Sequence, residues 1–156
     1  MLIFLALACD AETIDSETTD PVPVETDDGS PGISHWMDEG LAVDGYDTVA
    51  YFTEGAATLG DAAITADWGG AEWRFASEEN RDAFEADPTA YAPQYGAYCS
   101  WAMADDRLAT TDATAWDILD GKLYLNYSAA VREKWLEDTA GFIDAADGNW
   151  SARLGE

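Results

Sequence analysis

The 156-residue chain carries 32 acidic and seven basic residues, a formal charge of -25 with its one histidine neutral. Such a surface repels phosphate, which excludes nucleic-acid binding and charge-driven attachment to anionic lipid. The charge bears on solubility and on attraction of cations or of a basic partner, not on the fold. The length suits one domain, and seven Trp, seven Tyr and five Phe supply bulky core material. The two cysteines, Cys9 and Cys99, lie too far apart in sequence for a zinc framework.

Residues 1–8 are uniformly apolar, far short of the roughly 20 residues that a membrane span requires. They have the length of a signal-peptide core. Leu5-Ala-Leu-Ala-Cys9 resembles a bacterial lipobox, so Cys9 is the expected lipidation site. That leaves Cys99 without an internal disulfide partner. Residues 10–32 are acidic and rich in Thr, Ser and Pro, a composition that cannot offset its own ordering entropy and reads as an extended tether. The expected address is the bacterial cell envelope, as a periplasmic or surface lipoprotein. The expected partner there is the membrane, held through the lipid anchor, with no nucleic acid.

The folded domain is expected over residues 33–156. Gly45-Tyr-Asp-Thr-Val-Ala-Tyr-Phe52 is a turn leading into a short apolar element. Ala63–Trp68 and Ala71–Ala76 flank Gly69-Gly70 and predict a hairpin. Ser77 predicts a helix N-cap, with Glu78 and Glu79 placed where the helix dipole favours acid. The helix runs to about Asp87, ahead of Pro88. Tyr91–Met103 gathers three tyrosines, Trp101, Cys99 and Met103 around Pro93 and Gly96. Asp120-Gly121 predicts a second hairpin between 115–119 and 122–127. Ser128 predicts a helix through Val131, Trp135 and Leu136, and a last short helix spans about Thr139 to Asp147. The fold class is therefore α+β: a small single domain of two β-hairpins, each followed by helices. The two hairpin-helix units match too loosely in sequence to read as a duplication.

The chain resembles the YHS domain family, in particular its small stand-alone secreted or lipoprotein members. The resemblance is carried by Gly45–Phe52, Trp73–Phe84, Asp87–Ser100 and Asp120–Tyr127, and covers most of residues 41–150. Tyr98-Cys99-Ser100 stands in place of the family's Tyr-His-Ser signature, with Cys where the family has His. The resemblance implies weak metal binding around Cys99, copper or another transition-metal ion being the candidate cofactor.

A soft ion favours thiolate and thioether ligands. Cys99 and Met103 share a face if their segment is helical, and His35 or Met37 would complete the set. Asp47 or Asp105 would suit a harder ion. The alternative is that Cys99 is a small core residue and Met103 a gap-filler. A cysteine nucleophile needs a histidine base, and His35 lies beside the tether, so no catalytic residues are expected and the protein reads as a non-enzyme. Asp47, Tyr51, Tyr95, Tyr98, Trp101 and Asn126 are candidates for an aromatic pocket. With such a pocket, or with its acidic face, the domain would instead hold a protein or a small apolar ligand without catalysis.

Overall fold

The computed structural model describes residues 37, 38 and 40–155. Cys9, the tether and His35 lie outside the described residues. Two short antiparallel strands, β1 (Met37–Asp38) and β2 (Leu41–Ala42), lead into a 3-10 turn over Val43–Gly45 and a four-residue helix, α1 (Ala50–Thr53). β3 (Asp61–Trp68) and β4 (Ala71–Phe75) form the first hairpin, turned at Gly69-Gly70 where both residues have positive φ. β2 runs parallel to β4, which gives a sheet of order β1-β2-β4-β3. Ser77 Oγ accepts from Asn80 N at 3.1 Å and starts α2 (Glu78–Ala86). The Asp87 side chain then caps α3 (Pro88–Tyr91).

The second part repeats this order. A 3-10 turn over Gln94–Ala97 precedes α4 (Ser100–Met103). β5 (Asp112–Leu119) and β6 (Lys122–Asn126) pair across Asp120-Gly121 as a separate two-stranded sheet. Ser128 caps α5 (Ala129–Leu136), and Asp138 caps α6 (Thr139–Leu154). The α+β architecture of paired hairpin-helix units is as the sequence predicts. The last helix is longer than expected, because nothing after Asp147 breaks it until Gly155 takes a left-handed conformation at its C-terminus.

The likeness of the two parts is closer than their sequences suggest. Val43, Asp44 and Gly45 have φ of 51°, 51° and 79°, and Tyr95, Gly96 and Ala97 have 56°, 58° and 64°. Tyr46 N donates to Val43 O at 3.0 Å, and Tyr98 N to Tyr95 O at 3.1 Å. Left-handed backbone is costly for residues other than glycine, so a run of three at the same place in both parts is not a coincidence of loops. The correspondence slips by one residue before the hairpins and then holds. Asp61 and Asp112 each pair with the last residue of the partner strand, and each register breaks over the following residues, resuming at Thr65 and Trp116. Ser77 matches Ser128, Arg81 matches Arg132, and Asp87 matches Asp138. The chain is an internal structural duplication, which corrects the reading of the two units as only loosely alike. Side-chain identity has drifted while caps and turns have stayed.

Two apolar clusters form the interior, and the first of them joins the parts. One contains Val49, Tyr51, Trp73, Phe75 and Phe84, joined by Leu123 and Leu125 from β6. The other contains Tyr95, Tyr98, Met103, Tyr124 and Trp135. Alternation along β6 therefore feeds both clusters: Leu123 and Leu125 turn to the first, Tyr124 to the second. Phe84 and Trp135 occupy matching positions on α2 and α5, and both are fully buried.

Candidate functional site

Cys99 lies at the N-terminus of α4, fully buried. Its sulfur accepts from Tyr127 N at 3.3 Å, and Asn126 Oδ1 stands 3.8 Å away, placed to receive the thiol proton. Asn126 Oδ1 also accepts from Trp101 N at 3.2 Å. Burial pushes the Cys99 thiol up from its ordinary pKa, and the N–H groups of Ala102, Tyr127 and Trp101, with the Arg107 charge, offset that only in part. Burial thus favours the protonated thiol.

Of the three candidate metal ligands, Cys99 and Met103 are among the described residues and His35 is not. Met103 follows Cys99 by one turn, as its spacing predicts, but it is fully buried in the cluster with Tyr124 and Trp135. Asp105, the harder-ion candidate, pairs with Arg107 at 3.2 Å. No group of three His, Cys, Asp or Glu able to hold a metal occurs among the described residues. Asn126 Nδ2 and Ser100 Oγ are buried without a hydrogen-bond partner among the described residues, and the amide nitrogen can only donate.

The duplication explains what Cys99 does. Its counterpart in the first part is Asp47, also fully buried. Asp47 Oδ1 accepts from Val49 N at 2.9 Å and Ala50 N at 3.1 Å, which caps α1. Asp47 Oδ2 accepts from Ala76 N at 2.8 Å and Asn80 Nδ2 at 2.7 Å, which ties that cap to the end of β4 and to α2. Of the matching N–H groups, Cys99 receives that of Tyr127, while Trp101 N donates instead to Asn126 Oδ1. The residue after each, Thr48 and Ser100, has a buried hydroxyl without a partner among the described residues. Aspartate and cysteine thus occupy matching places, and each accepts the N–H of the residue that follows its unit's second hairpin strand, but only Asp47 also receives N–H groups from the short helix beside it.

The remaining pocket candidates do not converge. Tyr51 belongs to the first cluster, its hydroxyl donating to Ala113 O at 2.7 Å. Tyr95 belongs to the second, its hydroxyl donating to Asp147 Oδ1 at 2.7 Å. Tyr98 is 2 % exposed and Asn126 fully buried. These aromatics fill the interior and bond their hydroxyls at its edge, as bulky rings in strands and turns commonly do. Tyr51 thus lies in the first apolar cluster, Tyr95 and Tyr98 in the second, and Trp101 packs against the second.

Trp101 alone among them lines a cleft of about 370 Å³. Its other walls are Ala104 and Asp105 after α4, and Asp138, Gly141, Phe142 and Ala145 at the start of α6. The Arg107 guanidinium and the Lys134 ammonium each lie 5.6 Å from the centre of the Trp101 ring, which fixes the indole at the rim. Asp138 Oδ1 accepts from Gly141 N at 3.1 Å, and its Oδ2 lies so close over Gly141 that a Cβ there would collide with it. Sequence reasoning singled out Trp101 for a pocket and Asp105 only for a hard ion, and it missed the other walls. Aligning the two units on Ser77 and Ser128 sets Gly141 against Ala90 and Phe142 against Tyr91, but the one-residue slip hides the match of Phe52 to Ala104.

Comparison of the chain with protein-family models, with curated proteins and with solved structures gave no match.

Proposed function

We propose that this protein is a non-catalytic binding domain whose ligand site is the cleft beside Trp101. The observation that carries this reading is a concave, mostly apolar space of about 370 Å³ with a few polar groups at its mouth. That volume lies at the lower end of the range typical of small-molecule sites, roughly 300–1,000 Å³. The other aromatic candidates are committed to the interior, and the Cys99 sulfur is occupied as a hydrogen-bond acceptor. The lipobox-like Leu5–Cys9 and the acidic stretch 10–32 support placing the domain on the outer side of a bacterial inner membrane, tethered through Cys9. The YHS-like motifs support a stand-alone domain of this kind.

The test is titration of the full chain with a set of small apolar fragments, followed by amide and indole N–H resonances. Shifts centred on Trp101, Ala104 and Phe142 are expected. Shifts elsewhere only, or none with any fragment, would overturn the reading.

A further inference from the structure

The duplication identifies what the cleft lacks. In the first part, Phe52 stands where Ala104 stands in the second, and Tyr91 where Phe142 stands. Phe52 fills its position, packing edge-on against Tyr91 with ring centres 5.5 Å apart. Ala104 brings no ring to Phe142, and both residues line the open cleft. A second replacement acts in the same sense: Ala90 of the first part corresponds to Gly141. The missing methyl leaves room for Asp138 Oδ2, which brings a carboxylate oxygen to the wall of the cleft.

Resting on the cleft being a ligand site, we propose that its ligand is a small arylalkylamine, its ring taking the place of Phe52 and its ammonium meeting Asp138. The ring is specified by shape, since the same fold elsewhere in the molecule closes this space with a phenyl group against an aromatic neighbour. The positive charge is specified by the acids. Asp138 lines the cleft, its Oδ1 capping α6 and its Oδ2 lying over Gly141. Asp105 is held by Arg107, and Arg107 and Lys134 are themselves drawn onto the Trp101 ring. The whole chain carries a net charge of -25, which disfavours an anionic ligand and concentrates cations.

Phenethylamine, phenethyl alcohol and 3-phenylpropionate, titrated against the full chain and followed at the Trp101 indole N–H, test the proposal. The amine is expected to bind at least about tenfold more tightly than the carboxylate, equivalent to about 1.4 kcal/mol. Asp138→Asn keeps a side chain that can cap the helix, and should reduce amine affinity to that of the alcohol. Ala104→Phe should restore the packing of the first part, leave the melting temperature unchanged or raised, and abolish binding of all three. If Ala104→Phe does not fold, Ala104→Leu serves as the blocking variant. Equal binding of all three probes, blocked at position 104, would overturn the amine assignment and leave the cleft as a ligand site. Amine binding unaffected by a folded blocking variant, or no binding by any probe, would overturn the assignment together with the cleft.

Discussion

The two halves of this molecule meet the same structural demands with different side chains. Where a strand ends and a short helix begins, the first half places Asp47 and the second Cys99. The carboxylate receives four donors at 2.7–3.1 Å, one of them the Asn80 amide. The thiol receives a single backbone N–H at 3.3 Å, and Val131 stands where Asn80 would be. Where the helix then turns away, Phe52 closes the first half and Ala104 leaves the second open. The difference teaches that the turn and caps are the constrained features. The chemistry placed inside them is free to vary, and it is the half with the weaker acceptor and the smaller side chain that keeps a cleft.

The sharpest test of the equivalence is the pair Phe84 and Trp135. Both are fully buried at matching positions, so Phe84→Ala and Trp135→Ala should each cost about 3–5 kcal/mol, read by denaturant unfolding. A loss under about 1 kcal/mol in one of them would mean that the halves do not share a common core position. Next comes the cap. Asp47→Ala orphans several donors and should cost about 3 kcal/mol or more, since each buried unsatisfied group costs about 1–3 kcal/mol. Cys99→Ala removes a single weak acceptor and should cost about 1–2 kcal/mol. The reverse order would show that the sulfur does more than receive N–H groups.

The smallest effect is expected in alkali. Burial, together with the charge and hydrogen bond of Asp147, raises the pKa of Tyr95 well above the ordinary 10.0. Tyr51 is raised as well, chiefly by burial, and the Cys99 thiol is raised above 9.0. In each case the folded state holds its proton more tightly than the unfolded chain. Their contribution is fully present below the unfolded values and is lost as pH rises through about 9–10 and beyond. Stability should therefore decline across that window, and phenolate absorbance from these two tyrosines should appear only as the fold is lost. Ionisation of all seven tyrosines near their ordinary value in the folded protein would contradict the buried hydrogen bonds of both halves.

The features legible in sequence were those written in local backbone chemistry. Gly69-Gly70, Asp120-Gly121, Ser77 and Ser128 placed both hairpins and the starts of both main helices. What could not be read was long-range. Asp47 and Ala76 are remote in sequence, and only the folded chain shows the carboxylate receiving that amide. The likeness of Asp47 to Cys99 is hidden because a carboxylate and a thiol share no pattern, although both can accept an N–H. Trp101 was singled out as an aromatic, but its cleft is made by the small residues Ala104 and Gly141, and absent side chains leave no hydrophobic signature. Tyr51, Tyr95 and Tyr98 stood out for size, and size is what the interior used them for.

One strand bears a consequence for the whole molecule. Because β6 presents Leu123 and Leu125 to the first cluster, the first repeat does not own its interior, whereas the second cluster is built from the second repeat alone. The second repeat completes the first, much as a neighbour's wall completes a terraced house. A fragment ending before β5 would therefore lack part of its own filling. The pair should melt as a single cooperative unit, even though its architecture repeats.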